Sequence, residues 1–127
     1  MLNAQEESSI SDQEKTAFVV VYQEFKTEKP DANALAESVY RKNNIEADEV
    51  KAYRKNPKKS DANQKLRRIY YSTQSFYDRT SATILNRLCD KHGITKERYD
   101  LVLHKYKTDI SFQYILRPYF QAYFKNN

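Results

Sequence analysis

The chain has 127 residues, with 22 lysines and arginines against 17 acids, a formal net charge of +5. At this length a single domain buries about two-thirds of its unfolded surface, so a core needs no metal or disulfide staple. Cys89 is the one cysteine, which excludes an intramolecular disulfide. The longest apolar run, residues 17–22, is far short of a membrane span. One glycine and three prolines leave too little turn material for an all-β fold or a glycine-rich phosphate loop.

In chain order the pattern is helical. After a flexible, polar start over residues 1–10, Ser11 and Glu14 stand in capping-box spacing, and Phe18, Val21, Tyr22 and Phe25 follow on one helical face. The run Val19-Val20-Val21 would suit a strand, but the cap and the lack of a partner strand favour helix. Pro30 stops this helix. Asp31 caps a second, in which Leu35 and Val39 share a face, and Asn43-Asn44 supply a left-handed exit. A short third helix from about Glu46 turns Val50 and Tyr53 inward and ends at Asn56-Pro57.

The grammar returns 49 residues later. Ala17, Val20, Tyr22, Leu35, Val39, Ile45, Val50 and Tyr53 align with Leu66, Ile69, Tyr71, Ile84, Leu88, Ile94, Tyr99 and Val102, and Asn44 aligns with Gly93. Pro30 aligns with Arg79, so residues 62–92 read as one long helix. Asp109 then caps a last helix with Ile115, Tyr119 and Tyr123 on one stripe and Leu116, Phe120 and Phe124 beside it. Pro118 is expected to kink or restart it. The expectation is an all-α, compact helical bundle forming one domain over residues 11–127, built of two degenerate three-helix repeats (12–56 and 61–106) and an aromatic C-terminal helix (109–125).

Charge is unevenly placed. Residues 1–30 carry −3 and the remainder +8. The densest stretch holds Lys51, Arg54, Lys55, Lys58, Lys59, Lys65, Arg67 and Arg68 against Asp61 alone. Arg54, Lys55, Lys58, Lys59, Arg67 and Arg68 are the candidate polyanion-binding residues, set against the plainer reading of a solvated connector. Tyr119, Tyr123 and Phe124 are either the cap of the core or a partner surface, since tyrosine offers large contact area at low entropy cost.

Other chemistries find less support. Cys89, His92 and His104 are the only soft or imidazole ligands, and without a second cysteine or histidine pair they do not make a zinc signature. Cys89 and His92 on one helix have no orienting group, and no carboxylate pair stands at acid–base spacing. A helix-turn-helix over residues 86–105 has suitable corner spacing. It would, however, present Glu97 and Asp100 beside Thr95, Lys96 and Arg98 to a phosphate backbone.

Spaced aromatics followed by Gly93-Ile94-Thr95, Tyr99 and an acidic step at Asp109 resemble a group of small all-helical bacterial envelope proteins of unknown function, over residues 69–116. The resemblance implies no activity and no catalytic residue. It implies export, with Leu2-Asn3-Ala4 before Gln5 as the stub of a removed leader and a periplasmic or envelope location. A native start at Met1 implies the cytoplasm instead. Two functional readings follow. The first is a non-catalytic helical binding or structural module with a macromolecular partner. The second is a nucleic-acid-associated regulator using the 51–68 segment and the 86–105 corner. Neither calls for a cofactor.

Overall fold

A computed structural model describes residues 10–55 and 64–127, with Ala47, Tyr53, Arg54, Gln64 and Lys65 described by their backbone only. Among these residues there are helices and no strand: α1 (Asp12–Glu28), α2 (Ala32–Lys42), α3 (Ala47–Lys55), α4 (Gln64–His92), α5 (Lys96–Thr108) and α6 (Ile110–Asn126). The fold is all-α.

Local chemistry places most of the ends. At α1 the capping box closes in both directions: the Ser11 N–H donates to the Glu14 carboxylate and the Glu14 N–H donates to Ser11 Oγ, each at 3.1 Å. Asp31 accepts from the N–H groups of Asn33 and Ala34, Thr95 from that of Arg98, and Asp109 from that of Phe112. The structured chain starts earlier than the pattern indicates. Ile10, assigned to the flexible start, is buried in a core. Asn56-Pro57, the expected stop of α3, lies outside the described residues.

The two corners are built alike. Asn44 has φ 56° and Gly93 φ 72°. The Ile45 N–H reaches back to the Tyr40 carbonyl at 2.9 Å and the Ile94 N–H to that of Cys89 at 3.1 Å. One step inside, Asn44 bonds Arg41 and Gly93 bonds Asp90. These are Schellman exits, in which a left-handed residue lets its own N–H and that of the following residue satisfy orphan carbonyls of the last turn. Every pair of positions is 49 residues apart, as are the starts of α3 and α5.

The chain forms two compact units. The larger comprises the chain through Glu28 and residues 83–127, and its core holds Phe18, Val19 and Val21 of α1, Leu88 and Cys89 of α4, Ile94, Tyr99 and Val102 from the corner and α5, and Phe112 and Leu116 of α6. Phe18 is its centre at 0 % exposure, with ring centroids 5.2 Å from Tyr99, 5.6 Å from Tyr22 and 5.9 Å from Tyr106. Two residues of the valine run, Val19 and Val21, join this core from the helix together with Ala17 and Phe18. The smaller unit, residues 29–82, has a core of Tyr40, Val50 and Leu66 flanked by Ala36, Ile45, Ile69 and Tyr70. Helix α4 contributes residues 64–82 to the smaller unit and 83–92 to the larger.

Helix α6 runs through Pro118 without restarting. Proline removes the N–H that would bond the Tyr114 carbonyl, but Pro118 and Tyr114 both lie on the exposed side. The freed carbonyl therefore faces water, while Leu116, Tyr119 and Phe120 anchor the helix on both sides of the break.

Candidate functional site

In the larger unit the polar groups of α1 are spent on the chain's own packing. Arg98 grips Glu14 with two nitrogens, one at 3.1 Å, and this hydrogen-bonded guanidinium holds the Glu14 carboxyl below its ordinary pKa. Glu24 meets His92 Nε2 at 3.0 Å, and Glu28 meets Arg87 at 3.2 Å. Lys96 is held by Asp100 at 2.7 Å. The helix that a helix-turn-helix would present to a groove thus has Arg98 and Lys96 already engaged, and α1 packs against it through Phe18 and Tyr99. Cys89 is 1 % exposed and burial pushes its thiol up, which suits a small core residue rather than a thiolate nucleophile. Among the described residues no cluster of three histidines, cysteines or carboxylates can hold a metal.

The aromatic tail divides. Tyr119, Phe120 and Tyr123 pack against the core, and the Tyr119 hydroxyl donates to Asp12 at 2.6 Å, a bond that raises the phenol's pKa. Phe120 lies 5.8 Å from the Tyr22 ring and 5.6 Å from Tyr106. Phe124, expected to lie with the core-capping stripe, is 61 % exposed, and Ile115 is also exposed. The helix turns Phe112 and Leu116 inward instead, because α1 and α5 approach it on that side.

The smaller unit offers two surfaces. A groove of about 560 Å³ lies along the α2–α3 corner, with Ala36, Tyr40, Ile45 and Val50 as its floor and the opposite charges of Glu37, Arg41 and Lys51 on its rim. The other surface is the outer face of α4. There Arg67, Arg68, Tyr71, Ser75 and Arg79 are all exposed, and they recur at the three- and four-residue steps that put side chains on one side of a helix. Tyr71 is 60 % exposed. Arg79 Nε donates to the Ser75 carbonyl, one turn back along the helix, at 3.4 Å. Asp78, the acid on this side, accepts from Gln74 at 3.2 Å.

Of the six candidate polyanion-binding residues, the structure brings Arg67 and Arg68 together on this face and leaves Lys55 exposed at the end of α3. Arg54 is described by its backbone only, and Lys58 and Lys59 lie outside the described residues. The sequence reading missed Tyr71 and Arg79. The signal for Tyr71 was its identity with Tyr22 in the 49-residue alignment.

Comparison with known proteins returned nothing: no family model, no curated protein and no solved structure matches this chain. The envelope resemblance therefore rests on Gly93-Ile94-Thr95, Tyr99 and Asp109. The fold uses each of these locally, as a left-handed exit, the residue that follows it, two helix caps and a core ring.

Proposed function

We propose that this protein is a non-catalytic helical binding module whose working surface is the outer face of α4 in the smaller unit. The observation that carries the reading is Tyr71, a large ring 60 % exposed among exposed arginines. Tyrosine and arginine, with tryptophan, are the side chains most enriched where binding energy concentrates. The acids Glu14, Glu24 and Glu28 of α1 are tied to Arg98, His92 and Arg87, which supports a structural role for them.

Stability measurements on a double variant, Arg68→Gln with Tyr71→Ala, test the reading. Neither side chain is buried in the smaller core, so unfolding free energy should stay within about 0.5 kcal/mol of the parent. A loss well beyond that would mean that the face serves the chain's own fold and would refute the proposal.

A further inference from the structure

The 49-residue register that superposes the two corners sets the groove of the smaller unit against a filled place in the larger one. Its lining residues Ala36, Tyr40, Arg41, Ile45, Val50 and Lys51 correspond to Leu85, Cys89, Asp90, Ile94, Tyr99 and Asp100. In the larger unit the chain occupies this place itself. Leu85 packs against the core, and the buried Tyr99 ring lies 5.2 Å from that of Phe18. Lys96 donates to both carboxylate oxygens of Asp100 at 2.7 Å. Asp90, Asp100 and Lys96 all act on the charge of the Cys89 thiol, so the two acids and the lysine gather around one buried position.

In the smaller unit bulk is removed and charge is inverted. Leu85 becomes Ala36, Tyr99 becomes Val50 and Lys96 becomes an alanine, while Asp90 becomes Arg41 and Asp100 becomes Lys51. What remains is a groove of about 560 Å³, a size within the range of small-molecule sites, about 300–1,000 Å³. Arg41 and Lys51 are exposed on its rim, one from each helix, and among the described residues no carboxylate forms an ion pair with either. Glu37, one turn before Arg41, leaves the rim with a net positive charge. Where the larger unit sets its own cation against its own acid, the smaller unit presents two cations over an apolar floor.

We infer that the α2–α3 groove binds an amphipathic carboxylate, a medium-chain fatty acid, with its chain on Ala36, Tyr40, Ile45 and Val50 and its head group between Arg41 and Lys51. An inorganic anion would leave the floor wet, and an uncharged hydrocarbon would forgo the attraction of the two cations. The site shares no residue with the outer face of α4, so its success or failure leaves the binding-module reading untouched.

The test is calorimetric titration of the full chain with decanoate below its micelle-forming concentration, with heteronuclear NMR to place the ligand. Binding should saturate at or below about 1 mM, and the amide shifts of Ala36, Tyr40, Ile45 and Val50 should move. Octanoate should bind up to about 15-fold more weakly, at about fourfold per buried methylene. Changing Arg41→Gln together with Lys51→Gln should weaken binding roughly 2- to 30-fold, the range for two exposed ion pairs. Ala36→Leu, which installs the residue of the larger unit, should fill the floor and abolish binding without lowering the melting temperature. If that variant does unfold, the double glutamine variant still decides, because both of its parent side chains are exposed. No saturable binding, shifts confined to other residues, equal affinity for decylammonium, equal competition by polyglutamate, or unchanged affinity in the double glutamine variant would each overturn the inference.

Discussion

Gly93→Ala isolates the energetics of a single backbone conformation. Gly93 has φ +72°, and a Cβ built on it meets nothing within 4 Å. Any cost must therefore come from the left-handed backbone and not from a clash. Placing an L-residue in that region costs roughly 1–2 kcal/mol, and because the native φ does not suit alanine, the reduced freedom of the unfolded chain offers only partial compensation. The expected net loss is about 1 kcal/mol. With an unfolding entropy of about 2.1 cal/mol/K per residue, the melting temperature should fall by about 4 °C. Gly93→Asn should cost less, because asparagine tolerates this region and occupies it at Asn44, φ 56°. Chemical denaturation read by circular dichroism, with the denaturant slope held constant, measures both variants. A neutral or stabilising Gly93→Ala would refute the reasoning. So would Gly93→Asn being as costly as alanine, since only a steric origin treats the two alike.

Three further predictions concern the larger unit. Phe18→Ala, which removes a fully buried ring touching three others, should destabilise by about 3–5 kcal/mol in equilibrium unfolding, whereas Phe18→Leu should lose distinctly less. On α6, Leu116→Ala should cost about 3–5 kcal/mol while Phe124→Ala stays within about 0.5 kcal/mol, and comparable losses would contradict the inward face assigned here. The Glu14–Arg98 pair should give stability a pH dependence. The folded carboxyl ionises at lower pH than in the unfolded chain, so its contribution is complete above the unfolded value near 4.5 and is lost as pH falls through the folded value. Glu14→Gln should flatten the acid limb of a stability-versus-pH curve, and an unchanged limb would show that the pair contributes nothing.

The sequence determined those features that are decided within a few residues. Ser11 with Glu14, Asp31 and Asp109 each satisfy backbone donors two or three positions away, so helix starts were legible without any knowledge of packing. The Asn44 and Gly93 exits were equally legible, because few residues accept positive φ and an asparagine or glycine at the end of an apolar periodicity has few other uses. The long helix across residue 79 followed from the absence of proline there. Tertiary structure decided what depends on which partner approaches a helix. It turned Leu116 and Phe112 rather than Phe124 inward, drew Ile10 into a core, and kept α6 intact past Pro118. It also gave Tyr22 and Tyr71 opposite fates. Both are tyrosines at matching positions on amphipathic helices, and nothing local distinguishes them. One is covered because α6 brings Phe120 within 5.8 Å, and the other stays 60 % exposed on the outer face of α4. Burial is a property of pairs of surfaces, and a periodic pattern specifies only one member of each pair.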